Sequence, residues 1–162
     1  MKKRTGIMGI LIAILILGIG YAVITDVTVK VSGAGTISAN QNNFRVKFTG
    51  TPTTTGIGTI NATIEDDLQA KLTVTGLTKM GDTATAIYEI ANESPELGAD
   101  LVAELKENTN SEYFKITYSL QSNTIASGET TKLTVYVEAL KTPESEDQST
   151  SFEVDVVASP QE

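Results

Sequence analysis

The 162-residue chain contains no cysteine and no histidine, and its formal net charge is −8. These absences exclude disulfides, cysteine nucleophiles and the histidines that commonly serve as general bases or metal ligands. Three of the 12 basic residues are Lys2, Lys3 and Arg4, which leaves nine basic against 20 acidic residues and a net charge of −11 in the rest. Such a surface repels phosphate backbones. We therefore expect no nucleic-acid partner, and no catalytic, cofactor or metal site stands out.

The chain opens with an export segment. Its basic start is followed by an uncharged stretch over residues 5–25, with an apolar core over 7–19. Two small-x-small patterns of the kind that signal peptidases cleave follow it, Gly18-Ile19-Gly20 and Gly20-Tyr21-Ala22. The membrane and a signal peptidase are thus the first expected partners of the chain.

Two other outcomes for the export segment stay open. Residues 7–24 are 18 uncharged residues, at the lower limit for a helix spanning a bilayer, so the segment can instead remain as an anchor in the cytoplasmic membrane. A pilin-like leader cut after Gly6 would leave it in a filament core, although Leu11 stands where type IV pilins usually carry glutamate. If the segment is cleaved or is kept as an anchor, residues 1–23 are the signal peptide or the anchor. Residues 24–162 then form an extracellular or cell-surface domain.

Beyond residue 25 the dominant sequence period is two. Apolar and polar residues alternate in short runs over 26–31, 44–48, 60–64, 71–75, 83–90, 101–105, 114–120, 133–138 and 152–156. Alternation predicts half-buried strands, and antiparallel strands with one apolar face bury it by pairing two sheets. The predicted fold is all-β, an immunoglobulin-like or jelly-roll sandwich preceded by an N-terminal hydrophobic helix.

Two segments fit this pattern poorly. Residues 49–59 are rich in threonine and glycine with little bulk, and we predict a mobile loop there. Residues 96–106 have a spacing that fits either a short helix or a strand.

Three motifs resemble a known group of exported proteins. Gly20-Tyr21-Ala22-Val23-Ile24-Thr25-Asp26 resembles the leader junction of Gram-positive proteins cleaved by a SipW-type signal peptidase. The segment 81–94, in which a Gly-Asp turn opens a strand that ends at Asn92, is similar to their sandwich core. The segment 137–140, followed by 152–154, is similar to their closing hairpin. This is the TasA/camelysin-like group. The resemblance implies an exported β-sandwich with a structural role in a biofilm matrix, and the missing histidines argue against a camelysin-like zinc peptidase.

Other polar motifs are interpreted as structural. Asp82-Thr83-Ala84 has no second copy with which to form an aspartic-protease site, so it is taken as a turn. The acidic runs 65–67 and 144–147 lack calcium-loop spacing and are taken as solvated loops. Lysine–asparagine cross-links are not expected because the candidate lysines fall on the polar phase of their strands: Lys47, Lys71, Lys115 and Lys132.

The first strand after the export segment suggests a mechanism of assembly. Val27, Val29 and Val31 share one phase of the strand, and Gly33-Ala34-Gly35 could act as a hinge behind it. Such a strand can complete the sheet of a neighbouring copy, and head-to-tail exchange makes a fibre. The hypothesis is therefore a self-associating matrix protein. The alternatives are an ordinary first strand in an anchored monomeric adhesin with a cell-surface or matrix ligand, and a pilin-like subunit.

Overall fold

A computed structural model describes residues 26–35, 43–67, 69–144 and 148–161, and this part of the chain consists of strands without a helix. The prediction of an all-β fold is confirmed, while the predicted hydrophobic helix lies outside the described residues. The strands are β1 Asp26–Gly35, β2 Val46–Gly56, β3 Thr59–Asp66, β4 Gln69–Thr75, β5 Thr83–Asn92, β6 Ala99–Asn108, β7 Phe114–Leu120, β8 Thr124–Ile125, β9 Thr130–Ala139 and β10 Ser149–Pro160.

The strands form two sheets that pack in a sandwich-like arrangement. The six-stranded sheet has the order β3-β4-β1-β10-β6-β8, and the four-stranded sheet has the order β2-β5-β9-β7. The chain passes from one sheet to the other between β2 and β3. Gly56 and Gly58 have φ angles of +133° and +82° there, and a Cβ on Gly58 would stand 2.0 Å from the Thr75 carbonyl oxygen. Only glycine therefore fits this close crossing.

The core lies between the sheets and is built from the alternating apolar residues. Four strands contribute most of it: Ala70, Leu72 and Val74; Ala84, Ala86, Tyr88 and Ile90; Leu133, Val135, Val137 and Ala139; Phe152, Val154, Val156 and Ala158. Burial of each larger side chain contributes about 1.5–3 kcal/mol to folding. The apolar residues that alternate along the strands thus lie together in one layer between the two sheets.

The predicted loop over residues 49–59 is wrong. The structure extends β2 through Gly56 and starts β3 at Thr59, with a register shift against β5 between Thr49 and Thr53. β2 is an edge strand whose second half is mostly exposed, so it carries no apolar alternation to reveal it. Threonine is β-branched and suits such a solvated strand.

The ambiguous segment 96–106 is resolved as a strand. β6 pairs with β10 over most of its length, and Leu101 and Ala99 are buried. The two-residue strand β8 pairs with the start of β6. Sequence reasoning missed β8 because two residues cannot display a period.

A buried asparagine organises one end of the sandwich. The Asn92 side-chain amide donates to the carbonyl oxygens of Leu97 (2.8 Å), Ile125 (3.3 Å) and Ala126 (3.2 Å), and its oxygen accepts a bond from the Ser94 backbone N–H at 3.0 Å. Asn92 is 1% exposed. A single side chain therefore satisfies backbone groups in the segment before β6 and at the end of β8.

Tyr88 links the two sheets directly. Its hydroxyl donates to the Lys71 carbonyl oxygen at 3.0 Å, and its ring meets Phe48 edge-on with centroids 6.0 Å apart. Burial raises the pKa of the Tyr88 hydroxyl, so it remains a neutral donor.

Tyr88→Phe is expected to lower the free energy of unfolding by about 1–2 kcal/mol, because the variant keeps the ring but loses the inter-sheet hydrogen bond. Urea unfolding followed by circular dichroism measures this loss. Tyr136→Phe, at a half-buried position of β9, is the matched control and should change stability by less than about 0.5 kcal/mol. Equal stability of the two variants would contradict the assigned role of the hydroxyl.

Candidate functional site

The first strand occupies the interior of the six-stranded sheet. β1 pairs in parallel with β10, from Asp26 opposite Ser149 to Gly35 opposite Ala158. It also pairs antiparallel with β4. We call the position between β4 and β10 the β1 slot. From Val27 to Ser32 the strand in this slot is paired along both edges, and Gly33 to Gly35 are paired with β10.

No hairpin connects β1 to either of its partners. The next strand along the chain, β2, belongs to the other sheet, whereas β4 and β10 come later in the chain. The pairings of β1 are therefore all long-range. β1 is the first strand of the described residues, and it forms no hairpin with another described strand.

The inner row of the β1 slot is buried on both sides, and it is apolar except at Thr150. Val29 is in register with Leu72 of β4 and Phe152 of β10, which are 0% and 3% exposed. Val27 and Val31 are in register with further buried residues: Val74 and Thr150 for Val27, and Ala70 and Val154 for Val31. Register partners share a face of the sheet. The three valine positions therefore fall in the row that faces the core.

The predicted hinge at Gly33-Ala34-Gly35 is wrong. These residues form the last part of β1 and pair with Val156, Val157 and Ala158 of β10. Glycine lacks a side chain but keeps both backbone hydrogen-bonding groups, so its presence alone does not end a strand that is paired on a long neighbour. The strand is therefore longer than its valine alternation indicates.

The predicted export and cleavage residues Lys2, Lys3, Arg4, Gly20 and Ala22 lie outside the described residues, as does the candidate anchor 7–24. Within the part that the structure describes, no helix is long and apolar enough to cross a membrane. The choice between a cleaved leader and an anchor stays a prediction.

Asp82 has a structural role in the described fold. It is 2% exposed, and its carboxylate accepts bonds from the backbone N–H groups of Thr78 (2.8 Å) and Lys79 (3.1 Å). It therefore closes the turn before β5, in agreement with the interpretation from sequence.

The interpretation of residues 65–67 as a loop is wrong for Glu65 and Asp66, which are exposed residues at the end of β3. Residues 145–147 of the second acidic run lie outside the described residues.

The other candidate groups are on the surface. Asp67 forms an ion pair with Arg45 at 2.8 Å, and Lys47 forms one with Glu93 at 2.8 Å. Lys71, Lys115 and Lys132 are exposed. Among the described residues, no three acidic side chains come together as metal ligands.

The walls of the β1 slot are the part of the site that sequence reasoning missed. Leu72 and Phe152 were identified as core positions of two strands, with no indication that both flank the first strand. No local signal could have identified them, because strand order depends on pairings between distant segments.

Comparisons with known proteins add no family assignment. A scan against protein-family models found no match, and a search of curated proteins found none either.

Proposed function

We propose that this chain is an exported structural subunit of the cell surface or extracellular matrix, which assembles into fibres by exchanging β1 between copies. The observation that carries the proposal is the place of β1, an interior strand that no hairpin connects to its partners. The proposed role is non-enzymatic and needs no cofactor.

An empty β1 slot would be unfavourable, so a strand must fill it. Without β1, β4 and β10 would each expose a row of backbone N–H and C=O groups, and buried side chains such as Leu72 and Phe152 would meet water. The strand that fits is β1 of the same chain or of a second copy. β-Augmentation of this kind takes affinity from backbone hydrogen bonds and specificity from the alternate side chains.

Exchange between copies leads to an open polymer. Each copy donates β1 from one side and accepts a neighbouring β1 in its slot, so the two interacting surfaces differ. Such a heterologous contact adds copies without closing unless the rotation happens to complete a ring. The closed monomer and the fibre contain the same strand pairings, so protein concentration shifts the balance between them.

The proposal includes export through the N-terminal segment. Cleavage near Ala22 would release the chain with β1 close to its new N-terminus, whereas an uncleaved segment would keep β1 beside the membrane. The fibre role agrees with the resemblance to the TasA/camelysin-like group. Both sandwich types that the sequence favours, immunoglobulin-like and jelly-roll, are compatible with this proposal.

A second candidate function is a monomeric surface domain that binds a cell-surface or matrix ligand. It is favoured by the pairing of β1 within its own chain, which satisfies the sheet without a partner. The two functions differ in whether β1 must leave its slot.

A disulfide lock distinguishes the two functions. Thr28 is in register with Ser151 of β10, and paired strands lie about 4.8 Å apart, within the Cα–Cα range for a disulfide. The natural chain has no cysteine, so Thr28→Cys with Ser151→Cys adds the only thiols. We expect the oxidised double variant, starting near Ile24, to stay monomeric and to form fibres after reduction.

Negative-stain electron microscopy after concentration and mild acidification is the measurement, because acid partly neutralises the net charge of −11 left by nine basic and 20 acidic residues. The control is the natural sequence carried through the same oxidation and reduction. Fibres from the locked protein would contradict strand exchange. Separate particles under every condition, including for the natural sequence, would favour the monomeric binding domain.

A further inference from the structure

The outer row of the β1 slot has walls of opposite charge. The register puts Lys30 between Lys71 of β4 and Glu153 of β10. Lys71 is exposed, and Glu153 alternates with the buried residues Phe152 and Val154, so both walls present these charges on the solvent side of the sheet. Register neighbours in a sheet are close enough for their charges to interact.

Further carboxylates lie beyond the β10 wall. The next outward pair along β10 and β6 is Asp155 with Glu104. Like charges directly opposite each other destabilise a sheet. Lys106 binds Glu104, and this hydrogen bond raises the pKa of Lys106, with attraction from Glu104, Asp155 and Glu153 adding to the effect. The outer face on this side of the slot is therefore negative.

We propose that these charges select the strand that enters the β1 slot, so that its preferred occupant is the Lys30-bearing β1 of another copy of this chain. The inference depends on the proposed strand exchange and adds a specificity-determining pair to it, Lys30 and Glu153. Lys71 repels a cation in the slot, whereas Glu153 and the neighbouring carboxylates of β10 and β6 attract one. Because carboxylates outnumber lysines around the slot, we expect the slot to prefer a strand with a cation at position 30.

Reversing one wall should reverse the selection. Glu153→Lys makes both immediate walls of the slot cationic, with Lys71 unchanged. A strand with Lys30 then meets two like charges, whereas a strand with Lys30→Glu meets two opposite ones. The slot with Glu153→Lys should therefore prefer the strand with Lys30→Glu. This preference should be larger than the preference of the natural slot for the strand with Lys30.

Competition between two donors measures the selection. Both donor chains carry Thr28→Cys, and one of them also carries Lys30→Glu and nitrogen-15 for identification by mass. The acceptor carries Ser151→Cys, with or without Glu153→Lys. Because each chain has one thiol, a disulfide between donor and acceptor chains reports β1 of one copy beside β10 of another. The chains start near Ile24 and are mixed at pH 7 and low salt.

We expect the natural slot to take the Lys30 donor about threefold more often, and the Glu153→Lys slot to take the Lys30→Glu donor about tenfold more often. In high salt the ratio of the two donors bound should approach one for both slots, because ions screen exposed charges. Lys79→Glu in the donor and Glu96→Lys in the acceptor are the matched controls. Both positions are exposed and lie outside the β1 slot, so equal charge changes there should leave the preference unaltered.

The outcomes separate the two proposals. If no donor–acceptor disulfide forms, even without the charge variants, strand exchange is wrong and the selection falls with it. If such disulfides form but both slots take the two donors equally, exchange stands and charge selection is overturned. A preference reproduced by the control variants would also overturn it, since net charge rather than the Lys30–Glu153 pair would then be responsible.

Discussion

Replacing Val29 with aspartate is expected to abolish fibres and to lower the free energy of unfolding by about 3–5 kcal/mol. Val29 is in register with Leu72 and Phe152, both buried, so the variant puts an unpaired carboxylate in an apolar row. The aspartate opposes insertion of β1 into its own slot and into the slot of a neighbour. β1 is therefore expected to stay out of both, and a β1 that enters no slot cannot join copies. Electron microscopy measures the fibres, and urea unfolding measures the stability.

The neighbouring variant Thr28→Asp is the matched control. Thr28 belongs to the opposite phase of β1, and its register partner Ser151 is exposed. The same aspartate should therefore change stability by less than about 1 kcal/mol and leave the fibres intact. A normal yield of fibres from Val29→Asp would count against the β1 slot as the subunit joint. Equal loss of fibres in both variants would point to net charge instead.

Replacing Asn92 with alanine is expected to lower the free energy of unfolding by about 2–4 kcal/mol. The change removes the amide that serves the carbonyl oxygens of Leu97, Ile125 and Ala126, and it removes the acceptor for the Ser94 backbone N–H. Buried groups left without partners bear their full desolvation cost. Urea unfolding gives the loss, and hydrogen exchange of the Ser94 amide should accelerate.

Asn123→Ala provides the comparison for Asn92→Ala. Asn123 is an exposed residue just before β8, so this truncation should change stability by less than about 0.5 kcal/mol. If the two alanine variants were equally stable, the hydrogen-bond network around Asn92 would contribute little to folding.

Strand content was predictable where one face of a strand is buried. β5 and β9 alternate over most of their length, with exceptions such as Ile87 on the outward phase of β5, and the structure buries every second residue in each. The second half of β2 was predicted as a loop, because an exposed edge strand of threonines buries too little to show a period. Alternation of apolar and polar residues therefore indicates a strand with one buried face. A strand with both faces exposed shows no such alternation.

The candidate site was only half visible in the sequence. The valines at 27, 29 and 31 are a local pattern and could be read directly. Their partners could not, because Leu72 and Phe152 meet β1 only after distant segments fold together. Glu153 and Lys30 likewise become register partners only through the parallel pairing of β1 with β10. These strands are far apart in the chain, so no turn sequence between them predicts the pairing.

By itself, the sequence determined the all-β class, most of the strands and the phase of their apolar faces, since these follow from local alternation and side-chain chemistry. The tertiary structure alone decided that β1 lies inside the six-stranded sheet, parallel to β10 and antiparallel to β4. Many strand orders would bury the same apolar faces. The order adopted depends on how all the strands pack together, and the proposed exchange of β1 depends on this order.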